Sequence, residues 1–299
     1  MPDPYPVLTL STDDPVLTEQ LGSKPKFWFR FHGKEEDWLF KYAREGTGEH
    51  WSEKVAAEVA RLIQLPAAQI ELAQFMGKRG TASLNFVRRN LGEDLVHGDE
   101  LLGGHVIGYD REKKFGHSDH TIHNIVTAVG KVFPDRTECD RQLTKLAGFL
   151  VLDALIGNTD RHHQNWGVLR RSGTSGELTQ EICPSFDHAS SLGRNEPEES
   201  LRRRLKDRTV LNYARKGRGG IFWVPSDKKG ANPLDLVERA ARKWPIYFTP
   251  WLNRLAHLDE SAFLPIVTPV PDDWMSPVQK EFCIRFLSLT CLELQKIPS

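Results

Sequence analysis

The stretch Asp153–Gly167, DALIGNTDRHHQNWG, together with the later pair Phe186-Asp187, constrains this chain more than any other part of it. It sets Asp160 and Asn165 five residues apart in a polar loop that leaves an apolar helix, with a further oxygen ligand, Asp187, 22 residues beyond Asn165. Phosphoryl transfer needs those residue types. One carboxylate orients or deprotonates an attacking hydroxyl, while an amide oxygen and a second carboxylate hold the Mg²⁺ that bridges nucleotide phosphates. A fold that uses them must bring a helix end, a loop and the returning arm of a hairpin to one point.

At 299 residues the chain suits two lobes or two close-packed domains better than a single core. Hydrophobic content of 39% with 27% charged residues describes a soluble globular protein. The longest apolar run, Leu146–Ile156, is interrupted by Asp153 and is too short to span a bilayer. The N-terminus, MPDPYPVL, has neither a basic segment nor a long apolar one, so a cleaved secretion signal is not expected. Cys139, Cys183, Cys283 and Cys291 are scattered without a C-x-x-C pair, which favours free thiols in a reducing cytoplasm. Lys+Arg and Asp+Glu both total 40, so the overall field offers no drive toward nucleic acid.

Residues 1–95 read as a small β-rich lobe with one helix, and 96–299 as a larger, mainly helical lobe: an α+β chain. Met1–Leu21 reads as an arm. After the turn-like Gly22-Ser23-Lys24-Pro25-Lys26, an aromatic-rich run and Trp38–Tyr42 form a hairpin with Lys41 on its second strand. Ser52 is placed to cap a helix over Glu53–Leu65, ended by Pro66, in which Glu53 shares a face of small residues with Ala57 and Ala60 and looks toward Lys41. Strands near Ile70–Phe75 and Thr81–Phe86 flank the turn Met76–Gly80.

In the second lobe, Thr137–Asp140 has the form of a capping box. The apolar residues from Leu143 to Leu155 then recur at helical spacing, and Gly157 is suited to end that helix in a left-handed conformation. Val168-Leu169 and Glu181–Phe186 flank the turn Ser172–Gly176 as a hairpin that returns Asp187 beside Asn165. Further helices are expected around Glu198–Lys206, Pro233–Trp244 with Asn232 as cap, Pro250–Leu258 and Pro277–Lys296.

GNTDRHHQNWG and FDHASSLG resemble the HipA-like kinases, and the D-R-H-x-x-N wording is also similar to the phosphatidylinositol 3- and 4-kinases, which share a protein-kinase-like fold. The resemblance continues upstream through GSKPK, LFK, the Glu53 helix, SLNF and VHGDELL, and so covers roughly Leu21 to Leu192. It implies Asp160 as catalytic base, with His162 beside it either bonded to loop backbone or on the transferring phosphate. It further implies Asn165 and Asp187 as Mg²⁺ ligands, and Lys41 on the ATP phosphates with Glu53 as its ion-pair partner. Gly22, Ser23, Lys24 and Lys26 would form the phosphate loop, and Leu84, Asn85 and Phe86 the adenine hinge. The implied activity is phosphorylation of serine or threonine in a protein, with an antitoxin-like regulator as a possible partner. Two departures stand out: the chain lacks the extra N-terminal domain of the full-length toxins, and the serine those toxins phosphorylate is here Glu19.

The series His117, His120, His123 invites a zinc reading, but imidazoles at that spacing spread around a helix, and a solvated histidine-rich surface is expected. Arg202, Arg203, Arg204, Lys206, Arg208, Arg215, Lys216 and Arg218 make a basic run, either a solvated face or a dock for an acidic substrate such as a phosphoinositide headgroup or a tRNA-bound enzyme. Two other readings are a phosphoinositide-type lipid kinase and a nucleotide-binding pseudokinase or regulatory module. Retention of all three of Asp160, Asn165 and Asp187 argues against the latter.

Overall fold

The computed structural model describes residues 3–12, 14, 16–17, 25–113, 116–173 and 177–298. The strands are β1 (Val7–Leu10), β2 (Val16–Leu17), β3 (Lys26–Arg30), β4 (Asp37–Tyr42), β5 (Ile70–Phe75), β6 (Lys78–Leu84), β7 (Glu93–His97), β8 (Gly167–Ser172) and β9 (Leu178–Ile182). The helices are α1 (Glu49–Leu62), α2 (Gly98–His105), α3 (Ile122–Val132), α4 (Arg136–Ile156), α5 (Glu198–Lys206), α6 (Val210–Lys216), α7 (Pro233–Lys243), α8 (Pro245–Leu255), α9 (Glu260–Val267) and α10 (Pro277–Gln295). A six-stranded sheet of order β1-β5-β6-β4-β3-β2 with α1 makes the small lobe, and helices around α4 with the sheet β7-β8-β9 make the large one. The architecture is the two-lobed α+β fold expected.

Register assigns the small lobe's side chains to their faces. Phe27 faces Phe40 and Phe29 faces Trp38 across the ladder, so one side of the sheet buries an aromatic cluster with Phe29 and Phe40 at its centre. Lys41 alternates with Phe40 and therefore points to the other side, where its cross-strand neighbours are Lys26 and Thr81. That side carries α1.

Several local expectations are corrected. The N-terminal arm contains β1, which pairs in parallel with β5, while the Tyr5 hydroxyl donates to the Ile266 carbonyl at 3.0 Å and ties it to α9. α1 begins at Glu49 after Gly48, not at Glu53. Ser52 lies inside it, its hydroxyl spent on the Ser191 carbonyl at 3.0 Å, so it caps nothing. β6 starts at Lys78 because Met76 and Gly77 alone make the turn, with φ of 48° and 73° as a type I′ hairpin requires. Asp135, rather than Thr137, caps α4 by accepting from the Glu138 amide at 2.8 Å, and the helix around Pro250 begins at Pro245, where proline fits a first turn.

α4 is the spine of the large lobe, buried along nearly all of its last fifteen residues. Gly157 ends it at φ 66°, and a side chain there would stand 2.4 Å from the Phe286 ring of α10. The chain therefore leaves α4 tightly and at once enters the loop that holds Asp160. No helix among the described residues is long and apolar enough to cross a membrane.

Candidate functional site

The site lies where the α4 end, the 158–166 loop and the 185–191 segment meet the underside of the small sheet. Arg161 organises it. Its guanidinium is bidentate to Asp153 of α4 (Nε to Oδ2 2.8 Å, Nη2 to Oδ1 2.7 Å), and Nη1 donates to the carbonyls of Asn165 at 2.7 Å and Phe186 at 3.4 Å. Both side chains are almost wholly buried, at 4% and 5% exposure. A buried charge needs this kind of full pairing, and here the pairing joins the helix, the loop and the Phe186-Asp187 segment. Asn158 donates to Asp153 at 2.8 Å and accepts from the Asp160 amide at 3.1 Å, which completes the brace. Nη2 also reaches the Ser185 hydroxyl at 3.1 Å, itself 2.7 Å from His188 Nε2, and burial holds that imidazole neutral, its pKa well below the ordinary value.

Asp160, Asn165 and Asp187 are brought together on this frame. The Asn165 amide nitrogen donates to the Asp160 carbonyl at 2.8 Å, which turns its oxygen the other way. Asp160 Oδ2 accepts from the Ser190 hydroxyl at 3.3 Å, and Arg194 donates to the same hydroxyl at 3.0 Å. Asp187 sits at φ 58°, a left-handed conformation uncommon for a residue with a side chain, and 38% of its side chain is exposed. His162 Nδ1 accepts from the Gln164 amide at 3.2 Å, so the ring is bonded to loop backbone, and burial lowers its pKa.

From the small lobe, Lys41 Nζ stands 3.3 Å from Asp187 Oδ1 and 3.6 Å from Glu53 Oε1. Glu53 is held in turn by the Thr81 hydroxyl at 3.3 Å. Burial by itself would lower the lysine's pKa, but the two carboxylates outweigh it and raise it, so the ammonium is kept charged. Glu49 and Glu58 are engaged elsewhere, with Arg194 and Lys54 respectively.

Lys26 lies on the same sheet face as Lys41, one strand away. Gly22, Ser23 and Lys24 fall outside the described residues, as does Glu19. At the segment Leu84–Phe86, the Leu84 and Asn85 amides donate within the fold, to the carbonyls of Gln69 at 3.0 Å and Asp37 at 2.9 Å. Phe86 packs on Phe186, ring centroids 5.6 Å apart, over Ala57, Ala68 and Ile70. The VHGDELL stretch clamps the loop: His97 Nδ1 pairs with the Gln164 carbonyl at 2.9 Å and Asp99 accepts from the Gln164 side chain at 3.0 Å.

The histidine expectation is overturned. His117 and His120 are buried, at 5% and 1% exposure, in the turn before α3 rather than along a helix, since Thr121 caps that helix at Ile122. His120 accepts from the Trp166 indole at 3.2 Å and pairs with the Gly220 carbonyl at 2.9 Å, and His117 stacks on Tyr109, which bonds His163. They form the floor beneath the loop. Only His123 is half exposed, between Trp223 and Trp244.

Comparison with known proteins agrees with this fold. The chain shares its fold with the Helicobacter pylori proinflammatory kinase CtkA, at a TM-score of 0.76 and 20% identity over 98% of this chain and 96% of that one. It is also similar to HipA in the Shewanella oneidensis MR-1 complex of HipA, HipB and operator DNA, at a TM-score of 0.57 and 14% identity over 94% of this chain and 65% of that one. No curated protein sequence matches the chain. Residues 19–243, three quarters of the length and the whole of the site just described, match the HipA-like C-terminal domain, and the chain belongs to that family.

Proposed function

We propose that this chain is an ATP- and Mg²⁺-dependent phosphotransferase acting on serine or threonine hydroxyls of a protein. The observation that carries the reading is the charged lysine held between Glu53 and the partly exposed Asp187, with Asn165 bonded to Asp160 on the loop that Arg161 joins to the Phe186-Asp187 segment. A structural ion pair has no need of a second, half-exposed carboxylate in a left-handed conformation, whereas a site for a metal-bound triphosphate does. The donor set fits the metal: a carboxylate and an amide oxygen are hard ligands, and Mg²⁺ takes one or two protein oxygens with the remainder from phosphates and water.

In this reading Asp187 and Asn165 would hold Mg²⁺, which supplies neutralisation of charge on the phosphates. Lys41 moves its charge from Asp187 onto the nucleotide's phosphate oxygens, and Glu53 keeps it aimed there. Asp160 receives the acceptor's proton. Its Oδ2 already accepts from the Ser190 hydroxyl, which marks the direction from which an incoming hydroxyl would approach. Phe86 and the Leu84–Phe86 carbonyls border the base, and Gly22, Ser23, Lys24 and Lys26 cover the phosphates. His162, neutral and bonded to Gln164, shapes the loop. The family relation to HipA, whose complex contains HipB, supports an antitoxin-like regulator as partner, and the scattered thiols support a cytoplasmic location.

The test is transfer of labelled γ-phosphate from ATP to protein acceptors, with and without Mg²⁺. The reading requires label on serine or threonine that disappears when EDTA is added; transfer to phosphoinositide vesicles alone would replace it with the lipid-kinase reading.

A further inference from the structure

A cleft of about 600 Å³ opens on the acceptor side of Asp160, walled by the Ser190–Asn195 segment, α6 and the loop after it, and the N-terminus of α7. Its floor is apolar, with Leu192, Tyr213, Leu234 and Phe286. Its charge is one-sided. Four cations line it, Arg194, Arg204, Lys216 and Arg218, against the single carboxylate of Asp160. Two of the four are neutralised from behind, Arg194 by Glu49 and Arg204 by Glu196. Lys216 and Arg218 are exposed and have no carboxylate within salt-bridge distance among the described residues; Arg218 Nη1 reaches only the carbonyls of Arg215 and Gly217, at 3.1 and 2.8 Å.

The backbone that carries these two cations is held in place rather than left as a loose loop. Asn232, buried at the start of α7, caps that helix through its side-chain oxygen and donates its side-chain nitrogen to the carbonyls of Ala214 at 2.8 Å and Gly217 at 3.0 Å. The backbone of Gly217 consequently lies against the Thr159 methyl, 3.2 Å from where a Cβ would stand, one residue from Asp160. The cleft therefore carries two unmatched positive charges on a backbone fixed against the residue before Asp160, the group that would receive the acceptor's proton.

We propose that this cleft docks the protein acceptor and selects a segment with aspartate or glutamate close to the phosphorylated hydroxyl, read by Lys216 and Arg218. The inference rests on the phosphotransferase reading and adds its substrate class. An acidic peptide is favoured over a lipid surface because none of the exposed large apolar side chains, Met76, Leu91, Ile107, Leu178, Val224, Ile246, Leu264 and Leu292, borders the cleft, so nothing there would enter a bilayer. The apolar floor between the cations suits side chains of a polypeptide.

The experiment presents the purified full chain, with ATP and Mg²⁺, to serine peptides whose flanking residues are acidic, neutral or basic, and separately to phosphoinositide vesicles. The acidic set is expected to be labelled about tenfold more efficiently than the neutral one, as two partly solvated ion pairs allow, and the advantage should shrink with added salt. In K216Q/R218Q the preference should vanish through a higher KM for acidic peptides, and in K216E/R218E it should turn toward basic ones; ATP binding reports that each variant is folded. Labelling of neutral or basic peptides as fast as acidic ones, a preference that survives in K216Q/R218Q, or labelling of vesicles only would overturn the inference while leaving phosphotransfer intact. Absence of label on every acceptor would remove the phosphotransferase reading itself, and this inference with it.

Discussion

The ionic clusters around Arg161 and around Lys41 solve opposite problems. Around Arg161 every donor is spent: Asp153, two backbone carbonyls and Ser185 surround a guanidinium that water hardly reaches. Around Lys41 the pairing is long, at 3.3 and 3.6 Å, and one partner is more than a third exposed. The first arrangement fixes geometry and can change little without unfolding the loop. The second holds a charge ready to be handed to something else. A buried ion pair is weak evidence for stability, and here its hydrogen bonds join helix, loop and the Phe186-Asp187 segment; the open pair beside it is the candidate place for a ligand.

The largest effect expected is from breaking the closed cluster. Arg161→Met leaves the buried Asp153 with the Asn158 amide but without its countercharge and should cost about 3–5 kcal/mol in denaturant unfolding, with Arg161→Lys recovering only part, because an ammonium has no fork for the carboxylate. A stability change within about 0.5 kcal/mol would show that the cluster does not hold the loop.

Lys41 sharpens the contrast. Lys41→Met should reduce phosphoryl transfer about 10²–10³-fold through loss of a charge on the transition state, and should cost less in unfolding than Arg161→Met, because Asp187 is open to solvent although the buried Glu53 loses that cation. Glu53→Gln should cost less, about 10–100-fold, since Glu53 acts only by aiming Lys41. Equal losses in the two would mean that Glu53 itself touches the nucleotide.

The smallest effect concerns two buried imidazoles, His120 beneath the Asp160 loop and His50 in α1 against Trp274. Burial lowers the pKa of His120 to about 3 and of His50 to about 4. Both bind fewer protons folded than unfolded below the ordinary value of about 6.5, so stability must fall as pH drops from there toward 4 and be fully present above it. Between pH 7 and pH 5 each contributes roughly 2 kcal/mol. Unfolding at pH 7, 6 and 5 measures the slope, and His50→Gln should remove its share; an unchanged slope would mean His50 titrates normally.

Much of the open cluster was legible in the sequence. Lys41 on a hairpin strand, Glu53 on the following helix and Asp187 after a second hairpin are each set by local pattern, and their order along the chain restricts where they can meet. The closed cluster was not, although its signal was present: Asp153 interrupts the longest apolar run, and a carboxylate in a buried helix requires a cation, which the Arg161 eight residues on supplies. His117 and His120 were misassigned because spacing alone was read as helical, while Thr121 delays the helix until after them. β1 was missed because its partner, β5, is more than sixty residues away and a parallel pairing leaves no turn signal. α1 starts before Ser52, whose hydroxyl bonds the Ser191 carbonyl of the facing lobe, a contact that local pattern does not reveal.

The central claim is that Asp187 belongs to the metal and Asp160 to the acceptor, and it is tested most directly by titrating ATP·Mg²⁺ calorimetrically into Asp187→Asn and Asp160→Asn beside a labelled-phosphate assay. Asp187→Asn should weaken Mg²⁺-dependent ATP binding together with turnover, because it removes a charged oxygen from the ion. Asp160→Asn should leave ATP affinity nearly intact and lower transfer by about two orders of magnitude or more, the mark of an interaction realised in the transition state. Wild-type transfer by Asp160→Asn, or unchanged ATP·Mg²⁺ affinity in Asp187→Asn, would contradict the account.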